Sequence, residues 1–104
     1  MPLVSFKVIP AGVGTSVSRY VASVVSVLES EGYRPVVTPD TTVVRVDDLG
    51  EVGRLLKLMH DRLHSIGVRR VVTIVMVDDR RDVGEREPEE LVRRVEERKR
   101  ELVS

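Results

Sequence analysis

Hydrophobic and polar positions alternate from Leu3 to Ile9. Val4, Phe6 and Val8 share one face, while Ser5 and Lys7 take the other. A period of two predicts a half-buried strand. The period changes after the turn "PAGVGTS". Val17, Tyr20, Val21, Val24, Val25 and Leu28 recur at helical spacing and form one apolar stripe. Ser16 or Thr15 is expected to cap the start of this helix, and Gly32 to stop it. Two short β-rich runs follow, Arg34–Thr38 and Thr41–Val46, split by a turn at Pro39 and Asp40. Val52, Leu55, Leu56, Met59, Leu63 and Ile66 mark the buried face of a second helix, which Gly67 ends. "VRRVVTIVMVD" is the fourth strand. A last helix is expected from Pro88, a favoured first-turn residue, to about Leu102. Its stripe is thin: Leu91, Val95 and Leu102, with Val92 beside it.

The order β-α-β-β-α-β plus a terminal helix predicts an α+β, ferredoxin-like sandwich in a single domain spanning residues 1–104. Four antiparallel strands would carry two helices on one face. The last strand is nevertheless apolar on both sides: Val71, Thr73, Val75 and Val77 on one, Val72, Ile74 and Met76 on the other. A sheet face left in water should be polar there. Either the terminal helix or the sheet of a second subunit must cover it. We expect the second subunit, because the terminal helix has few apolar residues to offer.

Composition narrows the functions. A chain of 104 residues can bury a real core without staples. With no cysteine, a disulfide framework or thiolate metal site is impossible. Seventeen basic and seventeen acidic residues cancel, which argues against nucleic-acid binding through bulk positive charge. Aromatics at 3% leave no stacking platform for single-stranded bases. The apolar start "MPLVSFKVIP" is too short to span a membrane and lacks a basic start or a cleavage site. A soluble cytoplasmic protein without a membrane partner is expected. Dense charge without cysteine suits a thermophile, and the arginine richness equally suits a biased genome.

Four motifs carry possible chemistry. "GVGTS", Gly12 to Ser16, sits where a strand turns into a helix, a place that favours anions. Val17 replaces the third glycine of a dinucleotide fingerprint, and there is no lysine for a phosphate loop. A plain turn, or a cluster of hydroxyls and amides for a small ligand, remains. "HDRLH" puts His60 and His64 one helical turn apart, but no third ligand exists and Asp61 is shorter than the glutamate that zinc hydrolysis uses. A solvated helix edge is expected, with no metal. "EREPEELVRRVEERKRE" reads as a solvated mixed-charge helix. No Ser-His-Asp arrangement can be argued, so no catalytic residue and no cofactor is expected. "DDRRD" closes the last strand with five charged residues. Alternation sends Asp78 and Asp79 to opposite faces, one to the rim of the helix-covered face and the other to the rim of the open face. Arg80 and Arg81 are their obvious partners.

Three segments together, "VIPAGVGTSVSRYVA", "TPDTTV" and "VVTIVMVDDRRD", resemble the thiamine-binding, YkoF-like family of UPF0045 proteins. The resemblance covers Leu3 to about Leu102. It implies a ferredoxin-like subunit that pairs sheet faces into dimers, commonly dimers of dimers. It also implies a non-catalytic pocket near a subunit interface for thiamine or its pyrimidine part. The matched positions are Thr15, Ser16, Ser18 and Tyr20 in the first segment and Thr38 and Thr42 in the second. In the third they are Asp78, Asp79, Arg80 and Arg81. A thiazolium would favour a carboxylate such as Asp78 or Asp79. The chain departs from the family at the hairpin. Many relatives read Thr-Pro-Met-Gly-Thr, and this chain reads Thr38-Pro39-Asp40-Thr41-Thr42. The alternative from another class is a structural or regulatory homo-oligomer with DDRRD as an interface ion-pair network.

Overall fold

The computed structural model describes residues 1–82 and 88–103. The elements run β1 (Leu3–Ala11), α1 (Ser18–Ser30), β2 (Val36–Val37), β3 (Thr42–Arg45), α2 (Glu51–Ser65), β4 (Arg70–Asp78) and α3 (Pro88–Val103). The four strands form one antiparallel sheet in the order β2-β3-β1-β4. This is the expected ferredoxin-like arrangement with an added terminal helix. No helix among the described residues is long and apolar enough to cross a membrane. The first residues of the mixed-charge run, 85–87, lie outside the described residues.

Alternation in β1 puts Val4 and Phe6 into the core, where they meet Val44 and Val46 from β3 and its end. Val24, Val27 and Leu28 of α1 and Leu55, Met59 and Leu63 of α2 close over them. Each fully buried side chain of this size contributes about 1.5–3 kcal/mol. Both helices end at a glycine held in the left-handed region, Gly32 at φ +89° and Gly67 at φ +101°. There the chain folds back: Tyr33 N–H donates to the Leu28 carbonyl, and Val68 N–H to that of Leu63, each at 3.1 Å.

Three expectations need correction. No side chain caps α1. Val17 occupies the cap position, and the N–H groups of Tyr20 and Val21 turn to its carbonyl at 3.0 Å. Ser16 and Thr15 lie too far ahead of the first helical residue, Ser18, to reach it. The buried stripe of α1 runs through Val27 rather than Val25, and Val17 stays exposed. Finally, β2 shrinks to Val36 and Val37. Pro35, without an N–H, cannot extend the ladder.

The sheet's second face stays largely uncovered in the subunit. The register puts Ile9 across from Val72, Lys7 from Ile74, and Ser5 from Met76. Ile74 is 57% exposed and Met76 65%. Helix α3 approaches β3 and buries Pro88, but Val92, Val95 and Leu102 remain exposed.

At the start of α2, Glu51 reaches back to the N–H groups of Asp47 and Asp48, at 2.9 and 2.8 Å, and accepts a bond from the Tyr33 hydroxyl. Arg54 ties this group to α1 through Glu31 at 2.9 Å and to the Tyr33 oxygen at 3.2 Å. The Tyr33 hydroxyl first, then the backbone donors, hold the Glu51 carboxyl below its ordinary value, while burial raises that of Tyr33. A depressed carboxylate adds stability above its unfolded value that is lost as pH falls through the folded one. Glu51→Gln should therefore destabilise by about 1 kcal/mol at neutral pH. In urea unfolding, the gap from wild type should close in acid. A constant gap across that range would assign the loss to packing instead of charge.

Candidate functional site

β1 pairs with β4 over its whole length, Leu3 to Ala11, but with β3 only from Leu3 to Phe6. The Pro2 carbonyl accepts from Val46 N–H at 3.0 Å, so even-numbered residues direct their backbone groups towards β3. Val4 and Phe6 meet Val44 and Thr42 there. Val8 N–H and C=O, and the Pro10 carbonyl, fall past the end of β3 and have no strand opposite. Proline lacks an N–H, so its position leaves one donor fewer without a partner.

A cavity of about 250 Å³ occupies this gap. Its floor is Phe6, Val8 and Pro10. One wall is the start of α1, with Val17, Tyr20, Val21 and Val24. The other is the hairpin from Val37 to Thr42. The upper part of the α1 stripe thus lines a cavity, and only the lower part is core.

Local bonds fix the hairpin wall. Thr38 N–H donates to the Thr41 carbonyl at 2.8 Å, and Thr41 N–H donates to Thr38 Oγ1 at 3.0 Å. Thr38 Oγ1 also lies 3.0 Å from the Thr41 carbonyl and hydroxyl. The Thr38 hydroxyl is therefore occupied in closing the turn. Thr42 is only 6% exposed and its hydroxyl has no hydrogen-bond partner among the described residues, yet no buried side-chain oxygen among them is unsatisfied. Its hydroxyl consequently reaches the cavity surface. Tyr20 offers a ring on the opposite wall, and the Arg19 guanidinium lies 5.7 Å from that ring's centroid.

The ten residues carried over by resemblance separate into three groups. Tyr20, Thr38 and Thr42 line the cavity. Thr15, Ser16 and Ser18 are exposed on the turn beside it, which enters the lining only through Val17. Asp78, Asp79, Arg80 and Arg81 lie elsewhere. Asp78 pairs across from Leu3, three residues along β1 from Phe6 and seven from Pro10, or about 10 to 23 Å at ~3.3 Å per residue, and none of the four lines the cavity. Within one chain the DDRRD segment does not reach the cavity. Its arginines are taken up locally: Arg80 bonds Asp82 at 2.7 and 3.1 Å, and Arg81 bonds Asp79 at 3.1 and 3.3 Å. Residue-by-residue reading also missed lining groups. Val8, Pro10 and Val37 carry no side-chain signal, although the apolar run Val17, Tyr20, Val21 ahead of the core residues was a visible clue.

The two histidines stand on the α2 flank, ring centroids 6.4 Å apart. His60 Nε2 is hydrogen-bonded to Thr73 Oγ1 at 2.7 Å, and His64 Nδ1–H donates to the Val68 carbonyl at 2.7 Å. No group of three or more His, Asp or Glu side chains suited to a metal exists among the described residues.

The fold and its cavity define a small α+β protein with a half-open, mainly apolar site. The chain belongs to the thiamine-binding protein family, which it matches over residues 4–96. It is 37% identical over 76 residues to a UPF0045 protein of Methanothermobacter thermautotrophicus, covering 72% of this chain and 77% of that one. A hypothetical protein of Methanocaldococcus jannascii superposes with a TM-score of 0.75 at 28% identity, covering 92% of this chain and 96% of the other. A Thermotoga maritima protein, described as a candidate for thiamine biosynthesis or salvage, shares the fold at a TM-score of 0.72 and 23% identity, over 90% and 97% of the two chains. No catalytic family is indicated.

Two imidazoles already bonded to protein leave a zinc site incomplete. Protein purified without added metal should carry no stoichiometric zinc by elemental analysis. One zinc per chain, lost in His64→Ala, would show the opposite.

Proposed function

We propose that this chain binds thiamine or its pyrimidine part, without catalysis, in the cavity between β1, α1 and the β2–β3 hairpin. The observation that carries the reading is the free β1 edge at Val8 inside an apolar pocket. An aminopyrimidine presents a donor and an acceptor side by side, which suits a strand's N–H and C=O on one edge. The Thr42 hydroxyl adds a third polar point. At about 250 Å³ the cavity lies just below the usual 300–1,000 Å³ of small-molecule sites. A single ring with one arm fits that size better than a large cofactor. Membership of a thiamine-binding family and a fold neighbour described for thiamine biosynthesis or salvage support the same ligand class.

The chain also self-associates, to a dimer or tetramer, through the open sheet face around Ile9, Val72, Ile74 and Met76. The support is the exposure of these side chains on the uncovered face. The same observation favours a second reading, a structural oligomer without a ligand.

Calorimetry should show hydroxymethylpyrimidine or thiamine binding in the micromolar range, about −8 kcal/mol. Thr42→Val should weaken both by about five-fold, the loss of one hydrogen bond of about 1 kcal/mol. No heat and no thermal shift with either ligand would leave the structural oligomer ahead.

Light scattering at micromolar concentration should give a dimer or larger. Because Met76 is solvent-exposed in the single subunit, Met76→Asp should yield a folded monomer by circular dichroism. A monomeric wild type would overturn the sheet-pairing reading.

A further inference from the structure

We propose that Asp40 makes this cavity select ligands carrying a fixed positive charge, a property distinct from recognition of the neutral ring and resting on the ligand site proposed above. Asp40 and Lys7 are the two charged residues in the lining. Strand alternation sends Lys7 to the opposite sheet face: it pairs with Ile74, between Phe6 and Val8, both of which pack with the core. Lys7 therefore contributes main chain to the cavity, and Asp40 contributes its charge.

Among the described residues Asp40 has no ion-pair partner, and it is exposed at the mouth. Its position is not left to a flexible tip. The ring of Pro39 fixes one backbone angle beside it, and the Thr38–Thr41 bonds close the turn around it. A carboxylate is thus held at the rim of a pocket whose remaining side-chain lining is apolar or neutral. Low-dielectric walls concentrate its field on whatever enters. Two features oppose it. The start of α1 presents a partial positive charge, and Arg19 stands beside the Tyr20 ring. Arg19 is outside the lining and engaged over that ring, so it offsets the carboxylate only at a distance.

The geometry divides the work. The floor and the Val8 edge read a flat ring with donor and acceptor groups, while the hairpin rim reads charge. DDRRD, whose carboxylates the family resemblance offered to a thiazolium, is at the other end of the sheet.

The test compares three probes by calorimetry on wild type and Asp40→Asn. Thiamine carries a thiazolium. Deazathiamine has nearly the same shape without the charge, and hydroxymethylpyrimidine is the neutral ring alone. Asp40→Asn should weaken thiamine by about five-fold, the upper range for a partly exposed charge pair. It should leave the two neutral probes unchanged, and the thiamine loss should shrink in high salt. If all three probes weaken equally, Asp40 serves only the shape of the hairpin and the inference is wrong. If thiamine is unaffected while the neutral probes still bind, Arg19 and the helix end cancel the carboxylate. The inference then fails and the site reading stands. If wild type binds none of the three, the site reading itself fails and takes this inference with it.

Discussion

A strand that is paired along its whole length on one side and only halfway on the other governs this molecule. Backbone N–H and C=O groups are strong, obligatory hydrogen-bonding groups, and burying them without partners is costly. β4 satisfies β1 from Leu3 to Ala11, whereas β3 stops at Thr42 opposite Phe6. The stop has a local cause: Thr38 and Thr41 bond each other, and Pro39 cannot donate to a ladder. Val8 is then left with a donor and an acceptor facing inwards where no strand can meet them. Water or a ligand must answer them. The surrounding Pro10, Val17 and Val21 give water few further partners, so a ring with polar edges is the better match.

The same strand separates the two surfaces on which a function can rest. Val8 faces the cavity side and Ile9 the open side, one residue apart. Ligand and second subunit would therefore press on opposite faces of one rigid ribbon rather than compete for one surface. Helix α1 serves both the core and the cavity with a single stripe. Val24, Val27 and Leu28 anchor it below, and Tyr20, itself packed against the core, lines the cavity above together with Val21.

The fold was legible because periodicity reports burial. The alternation of Val4, Phe6 and Val8, the helical spacing of Leu55, Met59 and Leu63, and the two terminal glycines each point to one element, and each element formed. Boundaries were less legible: the α1 cap fell on Val17, which no side-chain hydrogen bond accompanies, so cap chemistry left no marker of the helix start. The site was legible only in part. Tyr20, Thr38 and Thr42 could be reached through resemblance, and all three line the cavity. The Val8 edge could not, since a backbone group left free by a short neighbouring strand has no side-chain signature. Asp40 was visible as a departure in the hairpin, but only the folded hairpin shows which way such a departure matters. Asp78 and Asp79 lie away from this cavity within one chain, because a place at the end of a conspicuous strand says nothing about which end of the sheet holds the opening.

The charges that close the last strand have a plainer role in the subunit. β4 is an edge strand, long and apolar on both faces from Val71 to Val77. An edge of that kind presents unpaired backbone groups to any other strand and invites uncontrolled addition. Arg69 and Arg70 stand at its start, and Asp78, Asp79, Arg80 and Arg81 at its finish. A second copy adding parallel to it would set arginine against arginine at one end of the new ladder and aspartate against aspartate at the other. Approach through the face brings no such clash, because Val72, Ile74 and Met76 are apolar there. The charge run therefore restricts the orientation in which a strand can add to β4, as the short hairpin restricts how far pairing continues along β1.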